Sequence, residues 1–240
     1  AGIKLHAAID VTIRRNHIHH CIMGVWLDWE AQGARISQNL LHDNQRPEGV
    51  EPALGAMFSN DVFIEVGHGP TLIDNNLMLS KVSLRMATEG IACVHNLMLG
   101  ALTSVGSGVD FMVAGVNQPR YTPYHIPHRT EVAGFMTILH GDNRFFNNIF
   151  IQTWPADDAE ILHDTDDGRE YENRRAGTWV FDEFPIYDEW ISQFDFSKPA
   201  NMSELEKAHF GHLPVWSEGN LYLNGAKACR HEKKGKRRII

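Results

Sequence analysis

Cysteine is scarce in this chain: three in 240 residues, at positions 21, 93 and 229, an odd number widely spaced. Such a set supplies no disulfide framework, and a reducing, cytoplasmic setting is the expectation. No apolar run approaches the roughly 18 residues that a bilayer-spanning helix needs, so no membrane partner is expected. Positive charge is in deficit, 22 Lys and Arg against 30 Asp and Glu, for a net charge of −8. A surface short of cations does not attract phosphate backbones, which argues against nucleic acid. The basic cluster Lys233-Lys234-Gly235-Lys236-Arg237-Arg238 reads as a solvated tail. There is no Gly-x-Ser-x-Gly elbow, phosphate-binding loop or dinucleotide fingerprint, so no nucleotide cofactor and no activated serine is expected. His17, His19, His20 and Cys21 lack a second ligand pair at a zinc spacing, and no metal is expected.

What the chain does have is a repeat. Ile13-Arg14-Arg15-Asn16-His17-Ile18, Ile36-Ser37-Gln38-Asn39-Leu40-Leu41 and Leu72-Ile73-Asp74-Asn75-Asn76-Leu77 share an apolar residue, variable residues, Asn and a returning apolar residue. Asn16 and Asn39 are 23 positions apart, Asn75 and the corresponding His95 are 20 apart, and the 36 from Asn39 to Asn75 is one period plus an insertion of about 13. Periods of about 20 to 25 with short apolar runs suit the stacked coils of a parallel β-helix. Asn suits the left-handed corners of such a coil and can ladder from one coil to the next.

Counting back from the corners, His6 lies 10 before Asn16, Asp28 lies 11 before Asn39, Glu65 lies 10 before Asn75 and Arg85 lies 10 before His95. Each sits in an alternating run, as in Val25-Trp26-Leu27-Asp28-Trp29 and Val62-Phe63-Ile64-Glu65-Val66, where Leu27 and Ile64 point inward and the acids outward. The expectation is one outer column of His6, Asp28, Glu65 and Arg85. Neighbouring β coils lie about 4.8 Å apart, and retaining glycosidases hold their two carboxyls about 5 to 5.5 Å apart. The same spacing suits two solvated acids with ionic neighbours. Trp26 and Trp29 beside Asp28 favour the chemical reading.

The whole of residues 1–240 reads as one all-β domain. Gln45 to Asn60, with Pro47, Gly49, Pro52 and Gly55, is a loop placed to wall the acid site. Gly106 and Gly108 lie in a Gly-rich passage. Pro119, Pro123 and Pro127 make the following stretch an extended loop, bringing Tyr121, Tyr124, His125 and His128 to border a site. The coil pattern returns at Phe145 to Ile151 and at Gly219 to Asn224. Residues 154–218 form an irregular excursion, in which Ser203 and Glu206 cap a short helix running to about Phe210.

Gly24-Val25-Trp26-Leu27-Asp28-Trp29-Glu30-Ala31-Gln32-Gly33, Asp61-Val62-Phe63-Ile64-Glu65-Val66-Gly67-His68-Gly69-Pro70, Tyr121-Thr122-Pro123-Tyr124-His125 and Thr130-Glu131-Val132-Ala133-Gly134 together resemble glycoside hydrolase family 120, the β-xylosidases. The likeness runs through most of the chain. It implies a right-handed parallel β-helix, a solenoid with loop insertions, and retaining exo-acting hydrolysis of xylo-oligosaccharides. The family's nucleophile falls on Asp28 and its acid/base on Glu65. His6, Trp26, His68, Arg85, His125 and His128 are the expected sugar-lining residues, and a homo-oligomer stays open. Family members are longer: their N-terminal coils and β-sandwich have no counterpart here, the chain enters at Ala1 in mid-coil, and its ending, Arg230 to Ile240, shows no final coil, so a fragment is expected. A polysaccharide lyase with Arg85 as proton acceptor, or a sugar-binding stack without catalysis, are the alternatives.

Overall fold

The computed structural model describes residues 1–49, 59–104, 111–113, 116–118, 120–156, 161–165, 168–172, 175–198 and 212–233. Most of the 45–60 loop, Gly106 and Gly108, the helix expected over 203–210 and the basic cluster beyond Lys233 lie outside the described residues.

The described strands sort into three parallel sheets. The first contains Ile3–His6, Met23–Asp28, Asn60–Glu65, Val82–Ala87 and Ala101–Ser104, adjacent in that order. The second runs Thr12–Arg14, Ala34–Ser37, Thr71–Asp74, Ile91–Val94, Asn143–Phe146, Val215–Glu218 and Glu232–Lys233. The third runs His17–His19, Leu40–His42, Leu77–Met78, Leu97–Met98, Ile149–Ile151 and Leu221–Leu223. Over its first hundred residues the chain visits the three sheets in rotation, so the sequence period appears as pairing between equivalent strands: Ile3 opposite Val25, Val25 opposite Val62.

The expected right-handed parallel β-helix, a solenoid with loop insertions, is corrected. The strands form separate parallel sheets with almost no helix, and none of these sheets by itself is a solenoid. Three two-stranded antiparallel hairpins stand beside them, Phe111–Val113 with Val116–Gln118, Tyr121–His125 with Val132–Thr137, and Ile161–Thr165 with Gly168–Glu172. A period obliges equivalent strands to pair, but it sets neither corner lengths nor what is inserted between strands. Within the loop expected after Gly108, Tyr121–His125 is corrected to a strand of the second hairpin, where Pro123 opposes Phe135, and Pro119 lies outside the described residues. A two-stranded ribbon has two edges, and an edge position tolerates the missing proline N–H. Within 154–218 the described helix is Tyr187–Ile191, with Asp188 and Glu189 in its first turn, where the helix dipole favours acids.

Inward-facing Val25, Leu27, Ile36, Leu41, Val62, Ile64, Ile73, Leu84, Met86, Ile91, Phe145 and Phe150 form one buried core between the sheets. Leu27, Ile64 and Leu84 are all buried inside, as their alternation requires, although Leu84 pairs with Val62 and Met86 pairs with Ile64.

The corners divide the labour expected of Asn between two residues. The left-handed conformation falls on Arg15, Gln38, Asn75, His95 and Asn147 (φ 58°, 57°, 55°, 56° and 54°), each one position before an Asn. That following Asn makes the ladder: Asn16 to Asn39, Asn39 to Asn76, Asn76 to Asn96, Asn96 to Asn148 and Asn148 to Asn220, each amide N–H donating to the next Oδ1 at 2.9–3.0 Å. Each of these Oδ1 atoms also accepts the preceding Asn's backbone N–H. Removing one rung strands buried donors, and an unsatisfied buried group costs about 1–3 kcal/mol. Asn76→Ala is therefore expected to lower unfolding free energy by roughly 3 kcal/mol, read from the denaturant midpoint. An unchanged midpoint would show the ladder to be ornamental.

At the corner joining the third sheet to the first, buried Asp61 accepts from the Asn44 amide at 2.8 Å and from the Ser80 N–H at 3.0 Å. Burial, opposed by these bonds, pushes its carboxyl up to about 6 from the ordinary 3.8. The folded state therefore binds this proton more tightly than the unfolded chain. Its stabilisation is complete below 3.8 and is lost as pH rises through about 6. The fall in unfolding free energy between pH 4 and pH 7 should shrink in Asp61→Asn by roughly 3 kcal/mol, at ~1.4 kcal/mol per pH unit. Equal falls in the two proteins would show that Asp61 does not titrate in this window.

Candidate functional site

Met23–Asp28 and Asn60–Glu65 are neighbours, with Trp26 opposite Phe63 and Leu27 opposite Ile64. The next residue on each strand is an acid, so Asp28 and Glu65 stand side by side on the outer face. Neither is freely solvated: Asp28 is 7% exposed and Glu65 is half-buried.

Their surroundings differ. The Lys4 ammonium lies 2.8 Å from Asp28 Oδ2, and the Trp29 backbone N–H donates to Oδ1 at 2.9 Å. Burial works to raise the Asp28 carboxyl, but Lys4, the Trp29 N–H and a hydrogen bond with Glu65 outweigh it and hold Asp28 below the usual carboxylate range. Glu65 goes the other way. Burial first, then the Asp28 charge, raises its carboxyl, and the indole N–H groups of Trp26 and Trp29 oppose this without overcoming it. The Trp26 Nε1–H donates to Glu65 Oε2 at 2.9 Å.

Two residues before the acids runs a second row, Lys4, Trp26, Phe63 and Arg85, one from each strand in register. Lys4 Nζ sits 3.5 Å above the Trp26 ring, Trp26 and Phe63 stack at 5.7 Å, and the Arg85 guanidinium lies 4.3 Å from the Phe63 centroid. The expected column is corrected here. Arg85 belongs to this aromatic row, and the partner of Glu65 on the next strand is Ala87. Counting back failed because corners differ in length. Glu65 to Thr71 is six positions, whereas Ala87 to Ile91, which pairs with Thr71, is four. His6 does pair with Asp28, and its side chain is exposed.

Trp26 has both faces covered, by Lys4 and Phe63, and presents its N–H edge to the acid. The His68 ring is buried between Glu89 Oε1, 2.9 Å from Nδ1, and Thr122 Oγ1, 2.7 Å from Nε2. That pair of contacts ties the Tyr121–His125 hairpin to the sheets. His125 is held through its backbone, its N–H donating to Gln32 Oε1 and its carbonyl accepting from Gln32 Nε2. The same hairpin brings Arg120 to 4.6 Å from the Trp29 ring. His128 is exposed, with Nδ1 2.9 Å from Asp10 Oδ1. Sequence reasoning missed Lys4, Gln32 and Arg120. The signal for Lys4 was present, since the alternation that sends His6 outward sends Lys4 outward too.

Among the described residues no group of three or more His, Cys, Asp or Glu is placed to hold a metal ion. His17 and His19 share an exposed strand face with His42, the His17 and His42 Nε2 atoms 2.6 Å apart. Among the described residues no helix is long and apolar enough to cross a membrane.

No protein-family profile and no curated protein sequence matches the chain. A solved structure does: the complex of XylC with xylose superposes with a TM-score of 0.70 and 35% identity over 97% of this chain. The resemblance to glycoside hydrolase family 120 is thereby shown. This chain spans 30% of the length of XylC.

Proposed function

We propose that this chain carries the reactive acid pair of a retaining β-xylosidase acting on xylo-oligosaccharides. The observation that supports it best is the asymmetry of two neighbouring carboxyls, one lowered beside a lysine and one raised by burial and by its neighbour's charge. Environments that push two acids apart in this way separate a nucleophile from a proton donor. Asp28, ionised, attacks the anomeric carbon while Glu65, protonated, gives its proton to the departing glycosidic oxygen. Glu65, now a carboxylate, takes a proton from the water that attacks the glycosyl–Asp28 ester, and free Asp28 and protonated Glu65 return. Adjacent strands about 4.8 Å apart suit the short carboxyl separation that covalent catalysis requires. The choice of a pentose is supported by the likeness to XylC, whose structure was solved with xylose.

A product assay on xylobiose, polygalacturonate and aryl glycosides tests this reading. Free xylose is the expected product. An unsaturated product absorbing in the near ultraviolet would replace the hydrolase by a lyase, and binding without either product would leave a carbohydrate-binding protein.

A further inference from the structure

Two carboxyls in contact do not by themselves decide which one carries the charge, because a shared site tolerates one negative charge far better than two. Something must break the symmetry. Beside Asp28 stand Lys4 and His6 on the preceding strand and Glu65 on the following one; further off, Arg85 lies over the Phe63 ring and Arg120 over the Trp29 ring. Of these cations Lys4 makes the ion pair, at 2.8 Å. On the opposite acid, the Trp26 indole supplies a neutral N–H.

We propose that Lys4, braced on the face of Trp26, is a positioning residue that fixes the negative charge on Asp28 and leaves the proton to Glu65. Lys4 is about half exposed, and a flexible ammonium at such a site ordinarily wanders. Here its Nζ is held 3.5 Å over the indole, where the ring's negative face attracts it, while the same ring's edge bonds Glu65. One tryptophan thus sets the cation against one acid and its own N–H against the other. The kinetic consequence rests on the glycosidase reading, whereas the charge assignment does not.

Lys4→Met and Lys4→Arg in the full 240-residue chain test it by two readouts. The first is titration of the Asp28 carboxyl by carbon NMR with 13C-labelled aspartate, assigned with Asp28→Asn. An opposite charge in contact shifts a carboxyl by 1–3 units, so Lys4→Met should raise the Asp28 midpoint by about one unit and Lys4→Arg should return most of it. The second is the pH profile of kcat/KM on an aryl β-xyloside. Its acid limb should move up by about one unit in Lys4→Met, with about tenfold lower kcat/KM below the limb, and the arginine variant should restore the limb. A merely structural lysine would lower activity at every pH without moving the limb. An unchanged Asp28 titration in Lys4→Met overturns the proposal whatever the activity. The expected titration shift in a chain that hydrolyses no xyloside would support the charge assignment and sink the glycosidase reading instead.

Discussion

Asp28→Asn is expected to abolish turnover, with kcat falling by a factor on the order of 10⁴ or more, as when a covalent nucleophile is removed. The amide keeps the shape of the carboxylate and the Trp29 N–H contact on Oδ1, but it cannot form the glycosyl ester and cannot ion-pair with Lys4. No glycosyl–enzyme should accumulate with any substrate. Mass spectrometry after incubation with a 2-deoxy-2-fluoro-xyloside reads this directly: the parent protein should carry the label on Asp28, and the variant should carry none. A label found on Glu65 would reverse the two roles.

Glu65→Gln should fail differently. With Glu65 as the proposed proton donor, a contribution of about 10²–10⁴-fold is lost, so xylobiose hydrolysis should fall by that order. Aryl xylosides with good leaving groups need little protonation, and with them the first step should survive and the intermediate should build up. Added azide, which needs no general base, should then release β-xylosyl azide. An α-xylosyl azide from Glu65→Gln would sink the double-displacement assignment. The pH dependence follows from the same asymmetry. Asp28, held low chiefly by Lys4 against its burial, is ionised down to acid pH, and Glu65, raised first by burial and then by Asp28, keeps its proton further toward neutrality. Activity should occupy the window between them, lost on the acid side as Asp28 protonates and on the alkaline side as Glu65 ionises.

Much of this site is legible without coordinates because strand alternation and the repeat are local properties. Val25-Trp26-Leu27-Asp28 and Val62-Phe63-Ile64-Glu65 each send the acid outward whatever the rest of the chain does, and equal six-residue corners to Ala34 and Thr71 keep the two runs in step. Their adjacency follows from the period. Arg85 shows where such counting ends. Its corner is two residues shorter, so it shares an offset from the Asn positions with the acids yet aligns with Phe63. Corner length has no periodic signature, and a two-residue error keeps the same outward face while moving the side chain one place along it.

The sequence by itself therefore determined the alternating strands, the Asn corners, the pairing of Asp28 with Glu65 and the family resemblance, all carried by short spacings and nearly contiguous motifs. The organisation into separate sheets and hairpins was decided by contacts between distant residues, such as Gln32 with His125 and His68 with Thr122. The difference between the two acids was decided there as well. Side-chain reach across a strand boundary is not encoded in spacing: Lys4 is aligned with Trp26, and its long stem folds over that ring to meet Asp28. The lowering of one carboxyl and the raising of the other come from burial, from their effect on each other and from that crossing, which only the packed structure supplies.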